Sequence, residues 1–170
     1  VCEWALGFWV YTYGLEQLGL SPTMARMLNT AYWAAFTMTR LVLSCVVRPA
    51  GRLEARAVLR ASMVLALSSS LAVVTFTTTV FLCVAIIGIG VGVAGLYANS
   101  VTVLREVSFI NGRANGFMFC ASGLGSLSGA SCVGFLQQWH AIGGLALPAT
   151  CIAGILADMV FLGLMLWKHA

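Results

Sequence analysis

The feature that most constrains this chain is a series of apolar runs separated by short polar or charged breaks. Five of the runs are long, at 24–47, 58–75, 80–104, 114–135 and 145–167, and a shorter one occupies 1–15. About 20 apolar residues in a helix, at ~1.5 Å per residue, cross the ~30 Å hydrocarbon core of a bilayer. The sequence therefore predicts an all-α membrane protein with six transmembrane helices, of which the first is truncated.

The composition agrees with a bilayer as the surroundings of these helices. Hydrophobic residues make up 61% of the chain and charged residues only 8%, whereas about a quarter of a soluble domain is charged. A transmembrane barrel would instead show ~10-residue segments of alternating hydrophobicity. We attribute the net charge of +4 to arginines that set the orientation of the helices, and we expect no nucleic-acid partner.

The polar residues do not form a catalytic or metal-binding pattern. All six cysteines fall inside or at the edge of apolar runs, without a CxxC pair, and no histidine stands at metal-ligand spacing. No Ser-His, Cys-His or paired-carboxylate arrangement occurs within one membrane depth. We therefore expect neither an enzyme nor a bound metal or cofactor.

The basic residues lie at alternate breaks, which predicts the orientation of the chain. Those on one side of the membrane are Arg40, Arg48, Arg52, Arg56, Arg60, Arg105, Arg113 and Lys168, and only Arg26 lies on the other. Basic residues concentrate on the cytoplasmic side of membrane proteins. We expect a multi-pass membrane protein with a cytoplasmic C-terminus.

Four arginines are candidates for a cytoplasmic gate: Arg48, Arg52 and Arg56 at the break between the second and third runs, and Arg40 inside the second run. The break, RPAGRLEAR, is expected to be a loop whose guanidinium groups bridge carboxylates or helix C-terminal carbonyls of a facing bundle. The alternative is a topology signal that contacts anionic lipid. Arg40 lies inside the second run, where it either forms a conformational salt bridge or extends its charge to the interface.

The candidate binding residues lie within the apolar runs. A carboxylate there, such as Glu3, is a candidate for proton or sodium coupling or for hydrogen bonding a solute, unless the helix starts near residue 1 and the group is interfacial. Trp9 and Tyr13, with Trp33 on the next helix, form either an aromatic wall that stacks on a sugar ring or an interfacial aromatic belt. Asn29 shares a helix face with Trp33 and Arg40.

The fourth and fifth runs are rich in glycine. The pairs Gly88 with Gly92 and Gly125 with Gly129 have the GxxxG spacing that lets helix backbones approach closely. Asn99 and Ser100, in the second half of the fourth run, are either solute-binding residues or interhelical hydrogen-bond partners.

The order of these features resembles a known family. EWALGFWVYTYG, NTAYWAAFTMTRL, the basic RPAGR turn and a glycine-rich span with Asn-Ser are similar to the C-terminal half of a major facilitator superfamily transporter. Within that superfamily they are most similar to the fucose permease and sodium-dependent glucose transporter-like group. The resemblance implies two three-helix inverted repeats that move against an N-terminal half absent from this chain.

The resemblance also implies roles for individual residues. The first and fourth spans would line the cavity, which makes Glu3, Trp9, Tyr13, Asn99 and Ser100 cavity residues. Arg40 would match the arginine of the group's Gly-Arg pair at the end of the second span. The implied function is secondary active transport of a small polar solute, such as a sugar, with sodium or protons as coupling ions. A membrane scaffold or subunit that only oligomerises is the alternative.

Overall fold

A computed structural model of the chain describes residues 2–50, 52–76, 78–107, 112–138 and 143–168. Over these residues there are seven α-helices and no strand. They are α1 (Cys2–Glu16), α2 (Pro22–Ala50), α3 (Arg52–Thr75), α4 (Thr79–Ala94), α5 (Leu96–Val107), α6 (Gly112–Gln137) and α7 (Gly143–Lys168). The prediction of an all-helical chain is confirmed.

Four helical segments in the described part of the chain are long and apolar enough to cross a membrane. They are Ala55–Thr75, Thr79–Arg105, Asn115–Gln137 and Gly144–Leu164. The first two lie in α3 and in α4 continued by α5, and the others lie in α6 and α7. Apolar helices of this length identify a membrane protein. α1 has only 15 residues, and α2 is amphipathic, with polar residues such as Asn29 and Arg40 among its 29.

The break between the second and third apolar runs is largely helical, where the sequence predicts a loop. α2 continues through Pro49 to Ala50, and α3 already begins at Arg52. Arginine, leucine, glutamate and alanine, which fill 52–57, are all favourable helix formers. The helices therefore extend beyond the apolar runs at this end of the bundle.

The fourth apolar run is interrupted at Gly95, which separates α4 from α5. Gly95 has φ −88° and ψ −14°. Its carbonyl oxygen accepts hydrogen bonds from the backbone N–H of Asn99 at 3.1 Å and from Nδ2 of the same residue at 2.8 Å. The side chain of Asn99 thus stabilises the start of α5.

The packing of the helices brings α1 and α4 to the centre of the described structure. α4 packs on α2 and α3, while α1 packs on α2, α6 and α7, and α3 also contacts α5 and α7. A Cβ atom at Gly92 would lie 2.6 Å from the backbone nitrogen of Ala66 on α3, and one at Gly88 would lie 2.5 Å from Oγ of Ser69. The predicted close packing is confirmed for this glycine pair.

Candidate functional site

A charged pair lies where α1, α2 and α4 meet. Nη2 of Arg40 donates a hydrogen bond to Oε2 of Glu3 at 3.2 Å, and Nε donates to the backbone carbonyl of Ala94 at 3.3 Å. The exposed fractions of the two side chains are 46% for Arg40 and 21% for Glu3. The sequence allows two roles for Arg40, and in the structure Arg40 forms the salt bridge.

Local structure explains why Arg40 occupies this position. Phe36 lies one turn earlier on α2, and its ring centroid is 4.1 Å from Cζ of Arg40, in range for a cation–π interaction. Ala94 ends α4, and the last carbonyls of a helix lack intrahelical partners and carry the negative end of the helix dipole. Arg40 therefore meets negative charge from α1 and from the end of α4 at once.

The start of α1 is fixed on α2 by a second contact. The buried hydroxyl group of Tyr32 donates a hydrogen bond to the backbone carbonyl of Glu3 at 3.1 Å. This bond and the salt bridge hold the same residue of α1, one through its backbone and one through its carboxylate. The position of the Glu3 carboxylate is therefore set by two side chains of α2.

A series of aromatic rings leads away from the charged pair. Phe36 contacts Trp33 edge to face at 5.6 Å between ring centroids, Trp33 contacts Trp4 at 6.5 Å, and Trp4 stacks on Phe8 at 5.8 Å. Gly7 makes room for this arrangement, because a Cβ atom there would overlap the ring of Trp33. The rings run from α2 onto the exposed face of α1.

Trp4 and Phe8 also line an open groove of about 420 Å³ between α1 and α6. Its other lining residues, all on α6, are Phe119, Ser122, Gly123, Ser126, Leu127 and Ala130. The hydroxyl of Ser126 donates to the carbonyl oxygen of Ser122 at 2.8 Å. The groove is thus mainly apolar, and Trp4 joins it to the ring series that ends at Arg40.

Trp9 and Tyr13, predicted to form an aromatic wall, lie elsewhere on α1. Nε1 of Trp9 donates to the carbonyl oxygen of Ala130 at 2.8 Å, and a Cβ atom at Gly134 would lie 2.6 Å from its ring. Tyr13 belongs to the buried core. The structure therefore places Trp9 in the contact between α1 and α6, and Tyr13 in the interior.

Replacing Trp9 by phenylalanine should loosen the contact between α1 and α6. The change removes the indole donor and leaves the Ala130 carbonyl without it, which costs about 0.5–1.5 kcal/mol for a neutral hydrogen bond. We expect a lower midpoint of unfolding in mixed micelles of dodecyl maltoside and sodium dodecyl sulfate. Trp33→Phe, which makes the same change of ring at the contact between α1 and α2, is the comparison. An unchanged midpoint for Trp9→Phe would show that this bond does not hold α6.

Of the remaining predicted residues, Asn99 is connected to the charged pair through the backbone, because it binds Gly95, which follows the Ala94 acceptor of Arg40. Asn99 is buried and bonds Gly95 at the break between α4 and α5, and Ser100 is half-buried beside it. Asn29 is half-buried on α2, and its buried Oδ1 has no hydrogen-bond partner in the described structure. Arg56 is exposed on α3.

Two predicted gate residues cannot be compared with the structure, and three residues of the site were not predicted. The side chains of Arg48 and Arg52 lie outside the described residues. Sequence reasoning missed Trp4, Phe8 and Tyr32, although Trp4 and Phe8 have the same i, i+4 spacing on α1 as Trp9 and Tyr13. Spacing alone cannot tell which of the two aromatic pairs faces a neighbouring helix.

The groups at this site are suited to binding. A guanidinium and a carboxylate offer charged hydrogen bonds, and the groove offers apolar surface. Among the described residues, no group of three or more His, Cys, Asp or Glu side chains could hold a metal ion. No protein-family model, curated protein or solved structure matches the chain.

Proposed function

We propose that this chain is one half of a secondary active transporter that moves a small polar solute across a membrane by alternating access. The observation that carries the proposal is the Glu3–Arg40 pair, which joins the apolar helix α1 to the amphipathic helix α2. Ionisable side chains are costly inside a membrane protein and commonly mark the path of a solute or ion. Glu3 is the residue at which a coupling sodium ion or proton would act.

Two of the helix contacts support an arrangement of two inverted repeats, whereas the contact of α1 with α2 has no counterpart of similar size between α4–α5 and α6. In that arrangement α1 corresponds to α4 with α5, α2 to α6, and α3 to α7. The contact of α1 with α6 then corresponds to that of α4 with α2, and the contact of α1 with α7 to that of α4 with α3. Repeats of this kind place the solute at their interface near the middle of the membrane.

The proposal includes an orientation and a second half. α1 and α2 would cross the membrane with the four apolar segments, and the C-terminus would be cytoplasmic. Arg48, Arg52 and Arg56 would lie at the cytoplasmic end of the bundle and form its gate with Arg40. The missing N-terminal half would cover the exposed side of α1, α2 and α6. A sugar as the solute stays a prediction. The aromatic wall expected to stack on a sugar ring included Trp9, which instead contacts α6.

Uptake into proteoliposomes tests this function. We expect liposomes that contain the full-length protein to accumulate at least one solute from a panel of labelled hexoses and amino acids, driven by a sodium or proton gradient. Collapsing the gradient with an ionophore should abolish the accumulation. Protein-free liposomes are the control, and failure to move any solute under either gradient would contradict the proposal.

The alternative, a membrane scaffold, is favoured by the exposure of α6. Only 11% of an 18-residue stretch within Asn115–Gln137 is buried inside the protein, against 56% of one within Thr79–Arg105. Large apolar side chains such as Phe117, Leu124 and Leu127 are exposed there. In a transporter the second half would cover part of this surface and lipid the rest, whereas in a scaffold another protein would bind to it. Uptake driven by an ion gradient would support the transporter and contradict the scaffold.

A further inference from the structure

We propose that the Glu3–Arg40 pair and the groove between α1 and α6 form one binding site for a zwitterionic solute of the amino-acid type that carries an apolar side group. The carboxylate of the solute would bind Arg40, its ammonium group would bind Glu3, and its side group would lie in the groove. The claim that this site binds a transported substrate rests on the proposed function. As a binding site it can be tested independently.

The two charged side chains retain hydrogen-bonding capacity after they have paired. A guanidinium has five N–H donors, and Arg40 uses one on Glu3 and one on the carbonyl of Ala94. Among the described residues, Glu3 accepts from Arg40 through Oε2 alone, so its second carboxylate oxygen is available to another donor. Both side chains are partly exposed. They can therefore bind a further charged group each without giving up the contacts that position them.

The net charge of the pair favours a solute that is itself neutral overall. The pair carries one positive and one negative charge, so an anion or a cation bound there would bring an uncompensated charge into an apolar region. A zwitterion brings both signs and leaves the total unchanged. Its two charges also match the two partners, with carboxylate facing guanidinium and ammonium facing carboxylate.

The groove accounts for the apolar part of the solute. The ring series joins it to the charged pair, because Trp4 lines the groove and contacts Trp33, which in turn contacts the Phe36 ring beneath Arg40. Its volume of about 420 Å³ lies within the ~300–1,000 Å³ typical of small-molecule sites. Trp4, Phe8, Phe119 and Leu127 present large apolar surfaces that are exposed. A hexose placed there would leave most of its hydroxyl groups without partners, which is unfavourable.

Binding to the full-length protein in lipid nanodiscs tests the charge requirement. The probes are phenylalanine, phenethylamine, 3-phenylpropionate, glycine and glucose. Phenylalanine should bind about tenfold or more tightly than phenethylamine or 3-phenylpropionate, because each of these lacks one charged hydrogen-bonding group. Glycine, which has both charges but no side group, should bind more weakly than phenylalanine. Equal affinities of phenylalanine and either singly charged analogue would overturn the proposal, as would tighter binding of glucose.

Variants in the groove and in the pair locate the site. Phe8→Ala, at a side chain that is 62% exposed, should weaken phenylalanine binding several-fold and leave glycine binding unchanged. Arg40→Gln should weaken the binding of both. Phe117→Ala is the matched control, since Phe117 is 76% exposed on α6 and does not line the groove. An unchanged affinity for phenylalanine in Phe8→Ala, a variant expected to fold, would overturn the assignment of the groove.

The outcomes separate this site from the transport function. Phenylalanine binding with the expected variant pattern but without uptake into proteoliposomes would support the site and contradict the transporter. Uptake of a different solute by protein that does not bind phenylalanine would overturn the site and leave the transporter in place.

Discussion

Replacing Gly92 by alanine is expected to destabilise the helix bundle by about 1–3 kcal/mol, the range for inserting an extra carbon into a tightly packed interior. The new Cβ atom would lie 2.6 Å from the backbone nitrogen of Ala66 and 2.8 Å from its Cα and Cβ atoms. A backbone cannot move aside as a flexible side chain can. α3 and α4 would therefore have to separate along their contact.

The measurement is the unfolding midpoint of the full-length protein in mixed micelles. Gly163→Ala is the matched control, because a Cβ atom at Gly163 on α7 would have no neighbour within 4 Å. Alanine is a better helix former than glycine by about 1 kcal/mol, so this control should unfold at the same midpoint or a higher one. If Gly92→Ala matches Gly163→Ala, the two helices do not pack as closely as the structure indicates.

The contrast between these two glycines shows what a sequence can and cannot specify. Helix positions were predictable, because the length of an apolar run is a property of one segment. The spacing of Gly88 and Gly92 also predicted a close helix contact correctly. The interruption at Gly95 was not predictable, since the three glycines within α4, Gly88, Gly90 and Gly92, leave that helix unbroken. At this break Arg40 and Asn99 donate hydrogen bonds to the carbonyls of Ala94 and Gly95, and the bond from Arg40 comes from another helix, which the sequence of one segment does not specify.

The candidate site was predictable only in part, for a related reason. A charge inside an apolar run needs a partner wherever the helix lies, so Glu3 and Arg40 could be singled out from their surroundings alone. Which aromatic pair of α1 is exposed depends on how α2 and α6 dock. Gly134 receives the ring of Trp9, which turns that side of α1 towards α6. The other side, with Trp4 and Phe8, is left to line the groove.

Replacing Arg40 by glutamine is expected to reduce uptake by the full-length protein at least tenfold. The variant removes the cation between the carboxylate of Glu3 and the carbonyl of Ala94, and a carboxylate left without its partner in an apolar region is unfavourable. Lysine should not restore uptake, because its single ammonium group lacks the planar fork with which arginine reaches two acceptors. Arg26→Gln, at an exposed arginine of the same helix, should transport normally.

A double-mutant cycle separates the pair from the individual residues. Unfolding free energies of Arg40→Gln, Glu3→Gln and the double variant should give a coupling energy within the ~0.5–3 kcal/mol seen for residues in contact. Partial exposure of both side chains places it towards the lower end, since solvent screens the charges. The double variant should be more stable than the sum of the single changes predicts, yet remain inactive, because it lacks both charges. A coupling energy of zero with normal uptake in Arg40→Gln would reduce the pair to a surface contact and remove the observation on which the proposed transport function depends.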